Sequence, residues 1–318
     1  MKSKTGAHIM KTLILVHGRS WKPNEPDLKK LWIDALTYGI KRDAPESLDA
    51  FKAAKKEFVY YGDISNAYLK KKTGKTPPND LASRKTTLDL LNVWKANEFT
   101  KSKYNKLPGK ESFKEGVADV LSPLLRFFHL SDDLINAVAP DMGEYWKGED
   151  SDFGSKAREP MIKPLQRALD QKNNSVCIMA HSLGTMIAYD TLWKFSYRSE
   201  YRPKYNNKKI DLFVTLGCPL ADETVKGGLF GAQASGARRY PSNINHWVNI
   251  AAHDDFVSHD QRVANDFKMM KRYGLIKSIK DHRIYNLSLR KGKSNPHHSG
   301  GYLIHPKTTS TLVNWLEN

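Results

Sequence analysis

Ser182 carries the strongest chemical signature in this chain. It sits in Ala180-His181-Ser182-Leu183-Gly184, between an apolar run at 176–180 and a segment, 183–195, whose apolar residues repeat at helical spacing. A strand that turns so tightly into a helix forces its central residue into strained backbone angles. That lifts the side chain clear of the sheet, and small neighbours let strand and helix approach. This is a nucleophile elbow, with Ala180 where the first glycine of G-x-S-x-G usually stands. A serine hydroxyl is a poor nucleophile and needs a base, commonly histidine, itself oriented by a carboxylate. Both occur further along. His253-Asp254-Asp255 follows the apolar run 247–252, and His297-His298 lies in a turn-rich loop after 285–289. Spacing alone leaves Asp254 beside Asp255 as the acid and His298 beside His297 as the base. The alternative to all of this is an ordinary serine in a strand–helix turn.

Acyl transfer also needs two N–H groups for the negative charge of its transition state, one from the residue after the nucleophile and one from a loop after an early strand. Leu183 supplies the first. His17-Gly18-Arg19 closes the first apolar strand and supplies the second at Arg19, with Gly18 allowing close backbone approach. His17 itself reads as a loop brace. His253, Asp254, His259 and Asp260 cluster loosely without the spacing of a metal site, so neither metal nor cofactor is expected.

These groups need a frame. Apolar runs at 12–17, 58–62, 175–180, 210–216, 247–252 and 283–289 are separated by helical patterns at 27–42, 158–171, 183–195, 259–273 and 308–316. Strands alternating with helices predict an α/β fold, a mostly parallel central sheet with helices on both faces. The interval 65–158 breaks the alternation. It is lysine-rich, carries Pro77, Pro78, Pro108 and Pro123, and holds one strongly apolar patch at 120–128. It reads as a helical cap inserted into a core made of 1–64 and 159–318, over the strand ends where ligands bind in such folds. A second candidate for flexibility is the glycine-rich stretch 226–243.

Composition sets outer limits. The chain has 318 residues, 40% hydrophobic and 10% aromatic, which are globular values. No run of about 18 apolar residues is present to span a bilayer. The N-terminus lacks the pattern of a signal peptide, and Met10 is a second candidate start that would leave residues 1–9 as an appendage. Cys177 and Cys218 lie on or at the end of apolar strands and read as buried free thiols, in keeping with a reducing cytoplasm. The net charge is +17, and residues 66–110 hold eleven lysines and arginines against three acids, about half of that excess. The plain reading is a solvated face; the functional one is attraction to an anionic surface such as phospholipid. No zinc-finger, RNP or helix-turn-helix pattern accompanies the charge, so no specific nucleic acid is expected.

Taken in order, these pieces resemble the serine α/β-hydrolases, in particular bacterial lipase- and esterase-like members. The matching segments are Leu15-Val16-His17-Gly18, the elbow with Ala188-Tyr189-Asp190 after it, and Phe213-Val214-Thr215-Leu216-Gly217-Cys218-Pro219-Leu220. Val248-Asn249-Ile250-Ala251 leading to Asp255-Phe256-Val257 and Asn295-Pro296-His297 before Gly301-Tyr302-Leu303 complete the set. The resemblance implies an α/β-hydrolase fold, Ser182 as nucleophile, Asp255 as acid and His297 as base, in the Ser–Asp–His chain order of that fold. It implies hydrolysis of a small-molecule or lipid carboxylic ester through an acyl-enzyme. Phospholipase-like action at anionic lipid, through a lid built on the apolar patch and the lysines, is one alternative. A catalytically idle scaffold used for binding is another. The catalytic reading requires the serine hydroxyl, one imidazole and one carboxylate to meet at one rim of the sheet, open to a cavity.

Overall fold

The computed structural model describes residues 9–109, 139–148, 151–258 and 262–318. The central apolar runs form strands because they are buried on both faces of a six-stranded sheet. β1 (Met10–Val16), β2 (Lys55–Val59), β3 (Asn174–His181), β4 (Ile210–Leu216), β5 (Ile244–Ala252) and β6 (Ser278–Ile284) lie in the order β2-β1-β3-β4-β5-β6. Every neighbouring pair is parallel. Strand alternation splits the core in two. Ile14, Val16, Ile178, Ala180, Phe213 and Trp247 pack on one face. Leu13, Leu15, Cys177, Met179, Val214 and Ile250 pack on the other.

Helices cover both faces. In chain order they are α1 (Glu25–Asp43), α2 (Leu48–Ala53), α3 (Gly62–Thr73), α4 (Leu81–Asn92), α5 (Lys101–Asn105), α6 (Pro140–Tyr145) and α7 (Asp152–Asp170). Then come α8 (Leu183–Tyr197), α9 (Arg202–Tyr205), α10 (Glu223–Gly228), α11 (Val263–Asp266), α12 (Lys268–Arg272), α13 (Ser299–Leu303) and α14 (Pro306–Glu317). Residues of α6, α7 and α8 join the first face, and residues of α1, α4, α13 and α14 join the second. α1 shows why such segments are helical. Asn24 caps it by accepting from the Asp27 N–H, acids stand in its first turn and Lys41 and Arg42 in its last, and Leu28, Leu31, Trp32, Ala35, Leu36 and Ile40 are buried.

Three expected elements shift. The strand expected at 58–62 is β2, which starts at Lys55, and the one expected at 283–289 is β6, which ends at Ile284. Both are edge strands, so their sequences (KKEFV and SIKDHRI) carry charge on the half-exposed face and hide the apolar signal. The helix expected over 259–273 is two short ones, α11 and α12, joined through Phe267; residues 259–261 lie outside the described ones. Within 65–158 the described residues are helical in α3 to α6, and α3 and α7 run continuously across the two boundaries drawn for the insertion. The apolar patch at 120–128 lies outside the described residues. Among those described, no helix is long and apolar enough to cross a membrane.

Candidate active site

β3 ends at His181 and α8 begins at Leu183, so a single residue makes the turn. That residue, Ser182, has φ 55° and ψ −129°. Such a conformation costs a non-glycine residue about 1–3 kcal/mol. It persists because both sides of the serine are fixed. Its N–H continues the sheet by donating to Leu216 O at 3.0 Å, and its carbonyl accepts from Thr185 N and Thr185 Oγ1. The small flanking residues are sterically required. A Cβ at Gly184 would overlap the His17 carbonyl oxygen, and one at Gly18 would lie 2.9 Å from Ser182 Cβ. Ala180, in place of the first glycine, is accommodated as a fully buried residue of the sheet.

Ser182 Oγ lies 2.9 Å from His297 Nε2. His297 Nδ1 lies 3.0 and 2.9 Å from the two oxygens of Asp255. The pattern assigns the ring proton to Nδ1, which donates to the carboxylate, and leaves Nε2 to accept from the serine hydroxyl. Asp255 is buried, which by itself raises its pKa. The neighbouring imidazole, the Tyr302 hydroxyl at 2.5 Å and the Val257 N–H at 3.0 Å outweigh that and hold it below the usual carboxylate range. The groups come together at the carboxyl ends of β3, β4 and β5. At the end of β4, Gly217 adopts φ 54°, and a Cβ there would lie 3.0 Å from Asp255 Oδ2 and 3.1 Å from His297 Nδ1.

The structure separates the candidates that spacing left together. His298 caps α13 by accepting the Gly300 N–H on Nδ1, and burial, then Arg84 and Arg290, push its pKa down to about 3. Asp254 is exposed and accepts from the Tyr104 hydroxyl at 3.0 Å. His17 is the brace expected of it. It stacks on Tyr61 with ring centroids 4.0 Å apart, its Nε2 accepts from Tyr61 N, and its Nδ1 donates to Gly18 O.

The N–H groups of Arg19 and Leu183 make no hydrogen bond among the described residues. Leu183 opens a 15-residue helix, so its N–H has no intrahelical acceptor and stands at the positive end of the helix dipole. The loop carrying Arg19 abuts the elbow through Gly18. Access is the one requirement not met among the described residues. Ser182 is 0% exposed, with Gly18 and His297 packed against it. The His297 side chain, 29% exposed, is where the hydrogen-bonded series meets solvent.

Three supporting residues are assigned no role by the sequence. Tyr302 donates to Asp255 and accepts the Ala252 N–H at 2.8 Å. His181 places Nε2 2.9 Å from the His297 carbonyl oxygen, and its ring lies tilted against the His297 ring with centroids 4.7 Å apart. Asp141 holds the Arg19 loop. Each acts across a long sequence separation, and only the Gly-Tyr after the histidine pair hinted at one of them.

Comparison with family models, curated proteins and solved structures finds no match. Among the described residues no group of three or more His, Cys, Asp or Glu could hold a metal ion, and His259 and Asp260 lie outside them. Cys177 and Cys218 are buried free thiols whose pKa burial pushes up.

Proposed function

We propose that the protein is a serine hydrolase of the α/β-hydrolase fold that cleaves carboxylic esters through an acyl-enzyme. The observation that carries this reading is the series Ser182 Oγ–His297 Nε2 at 2.9 Å and His297 Nδ1–Asp255 Oδ2 at 2.9 Å, built on a strained strand–helix turn. Ser182 Oγ attacks the ester carbonyl carbon as its proton passes to His297 Nε2. Asp255 stabilises the imidazolium, and the N–H groups of Arg19 and Leu183 receive the oxyanion. Collapse expels the alcohol, which takes the proton from His297. Water, deprotonated by the same imidazole, then releases the acid and restores the serine.

A panel of p-nitrophenyl esters of varied acyl length, run on wild type and Ser182→Ala, tests this. The variant should lose at least about 10⁴-fold in kcat, and a serine-directed fluorophosphonate should label wild type at Ser182 alone. Equal turnover by the two proteins removes the reading. A catalytically idle scaffold is the second reading, and the full burial of Ser182 favours it. It predicts no turnover and no labelling in either protein.

A further inference from the structure

The Arg19 loop is held from outside the sheet, by a residue that belongs to the insertion. Asp141, on α6, is 0% exposed. Its Oδ1 accepts from Arg19 Nε at 3.0 Å and Arg19 Nη2 at 2.8 Å, and its Oδ2 accepts from Ser20 N at 2.9 Å. Burial by itself raises its pKa, but Arg19 and the Ser20 N–H more than offset this and keep it below the usual carboxylate range. Ser20, a non-glycine residue at φ 74°, is thereby kept in a left-handed conformation. From the other side Lys22 Nζ donates to the carbonyl oxygens of Arg19 and Ser20. One step upstream the Gly18 carbonyl accepts from His17 Nδ1 at 2.8 Å. Of the successive N–H groups here, that of Ser20 is consumed by Asp141, and that of Arg19 is left free and belongs to the peptide whose oxygen His17 holds.

We propose that Asp141 is a positioning residue of the oxyanion loop: by clamping Arg19 and Ser20 it leaves the Arg19 N–H as the donor that meets the transition state. The proposal rests on the hydrolase reading above. It also makes the insertion part of the catalytic apparatus, since a residue 121 and 122 positions from its partners sets their geometry. The Arg19 side chain, with Nε and Nη2 committed to Asp141, serves the loop and not the substrate.

A donor aimed at the transition state affects kcat and not ground-state binding. Asp141→Asn replaces one acceptor oxygen by an amide donor and breaks one arm of the clamp. Arg19→Lys keeps the charge and loses the two-pronged fork. With a p-nitrophenyl ester, each should lower kcat by about 10²-fold while KM stays within about threefold. The inhibition constant of a boronic acid, which mimics the tetrahedral oxyanion, should rise by the same factor as kcat/KM falls. The double variant should be no worse than the poorer single one, because both act through one contact. A purely structural ion pair would lower the melting temperature and leave kcat and boronate affinity unchanged, which overturns the proposal. If Asp141→Asn fails to fold, Arg19→Lys decides alone, and wild-type kcat in that variant is equally fatal. A wild type that neither turns over esters nor is labelled at Ser182 defeats the hydrolase reading and this proposal with it; an active wild type with unaffected variants defeats only the latter.

Discussion

Asp255 shows how a single residue's surroundings decide its role. Asp254 beside it is exposed, whereas Asp255 is buried against an imidazole, a phenol and a backbone N–H that keep it charged. Asp255→Asn keeps the shape but presents an amide donor or a neutral acceptor to His297 Nδ1, favouring the wrong tautomer. We expect kcat to fall by about 10⁴-fold, measured on the same ester panel. Tyr302→Phe is the milder test. It removes the hydroxyl that donates to Asp255 and accepts from the Ala252 N–H, two buried hydrogen bonds whose loss costs about 1–3 kcal/mol in stability. The sign of the pH effect follows. Tyr302 helps lower the Asp255 pKa, so removing its hydroxyl raises that pKa, which an NMR titration of the Asp255 carboxyl carbon reads directly. A lower melting temperature with an unmoved Asp255 titration would show that Tyr302 only braces the fold.

Between elements, the elbow depends on how closely α8 approaches β1. Gly184→Ala would push a methyl group into the carbonyl oxygens of His17 and Val16, both backbone atoms of the first strand and loop. Strand and helix must then separate, at about 3 kcal/mol, and Ser182 moves with the helix. Ala180→Gly, at the other end of the pattern, should cost only about 1 kcal/mol through backbone entropy. Chemical denaturation of the two variants checks the asymmetry, and equal losses would contradict it. The elbow was legible in the sequence because everything that makes it is local, five consecutive residues with a strand before and a helix after. The central strands were legible for the same reason, each being an unbroken apolar run. β2 and β6 were misplaced because an edge strand shows one face to water. The choices between His297 and His298, and between Asp254 and Asp255, were decided by contacts more than 40 residues apart, His297 to Ser182 and Asp255. The insertion reaches all three loops in the same non-local way. Arg84 donates to Trp21 O, Tyr104 to Asp254, and Thr87 to Leu289 O, while Pro108 O accepts from Ser294 N. No local pattern could announce that.

At the scale of the whole molecule, histidine burial links the fold to pH. His17, His181, His298 and His305 are all pushed below the ordinary imidazole pKa, in each case chiefly by burial, the last two to about 3. Their unfolded counterparts take up protons below about pH 6.5. Stability contributed by these neutral rings is therefore complete above that pH and is lost as pH falls from there toward the folded values. Each contributes at most about 1.4 kcal/mol per pH unit. The net charge of +17 acts in the same direction, because added protons increase self-repulsion. We expect the urea midpoint to fall steeply between pH 7 and pH 5, well above the range in which Asp255 or Asp141, both held low, would titrate. His305→Asn isolates the histidine contribution. His305 caps α14 by accepting the Lys307 N–H, a role asparagine fills, so the fold is retained while one proton-linked group is removed. The slope of stability against pH should then drop by about 1.4 kcal/mol per unit, whereas repulsion alone would leave it unchanged. A midpoint that stays level from pH 7 to pH 5 in the wild type would mean that these rings are not held neutral, and with that the bare Nε2 through which His17 accepts the Tyr61 N–H would go.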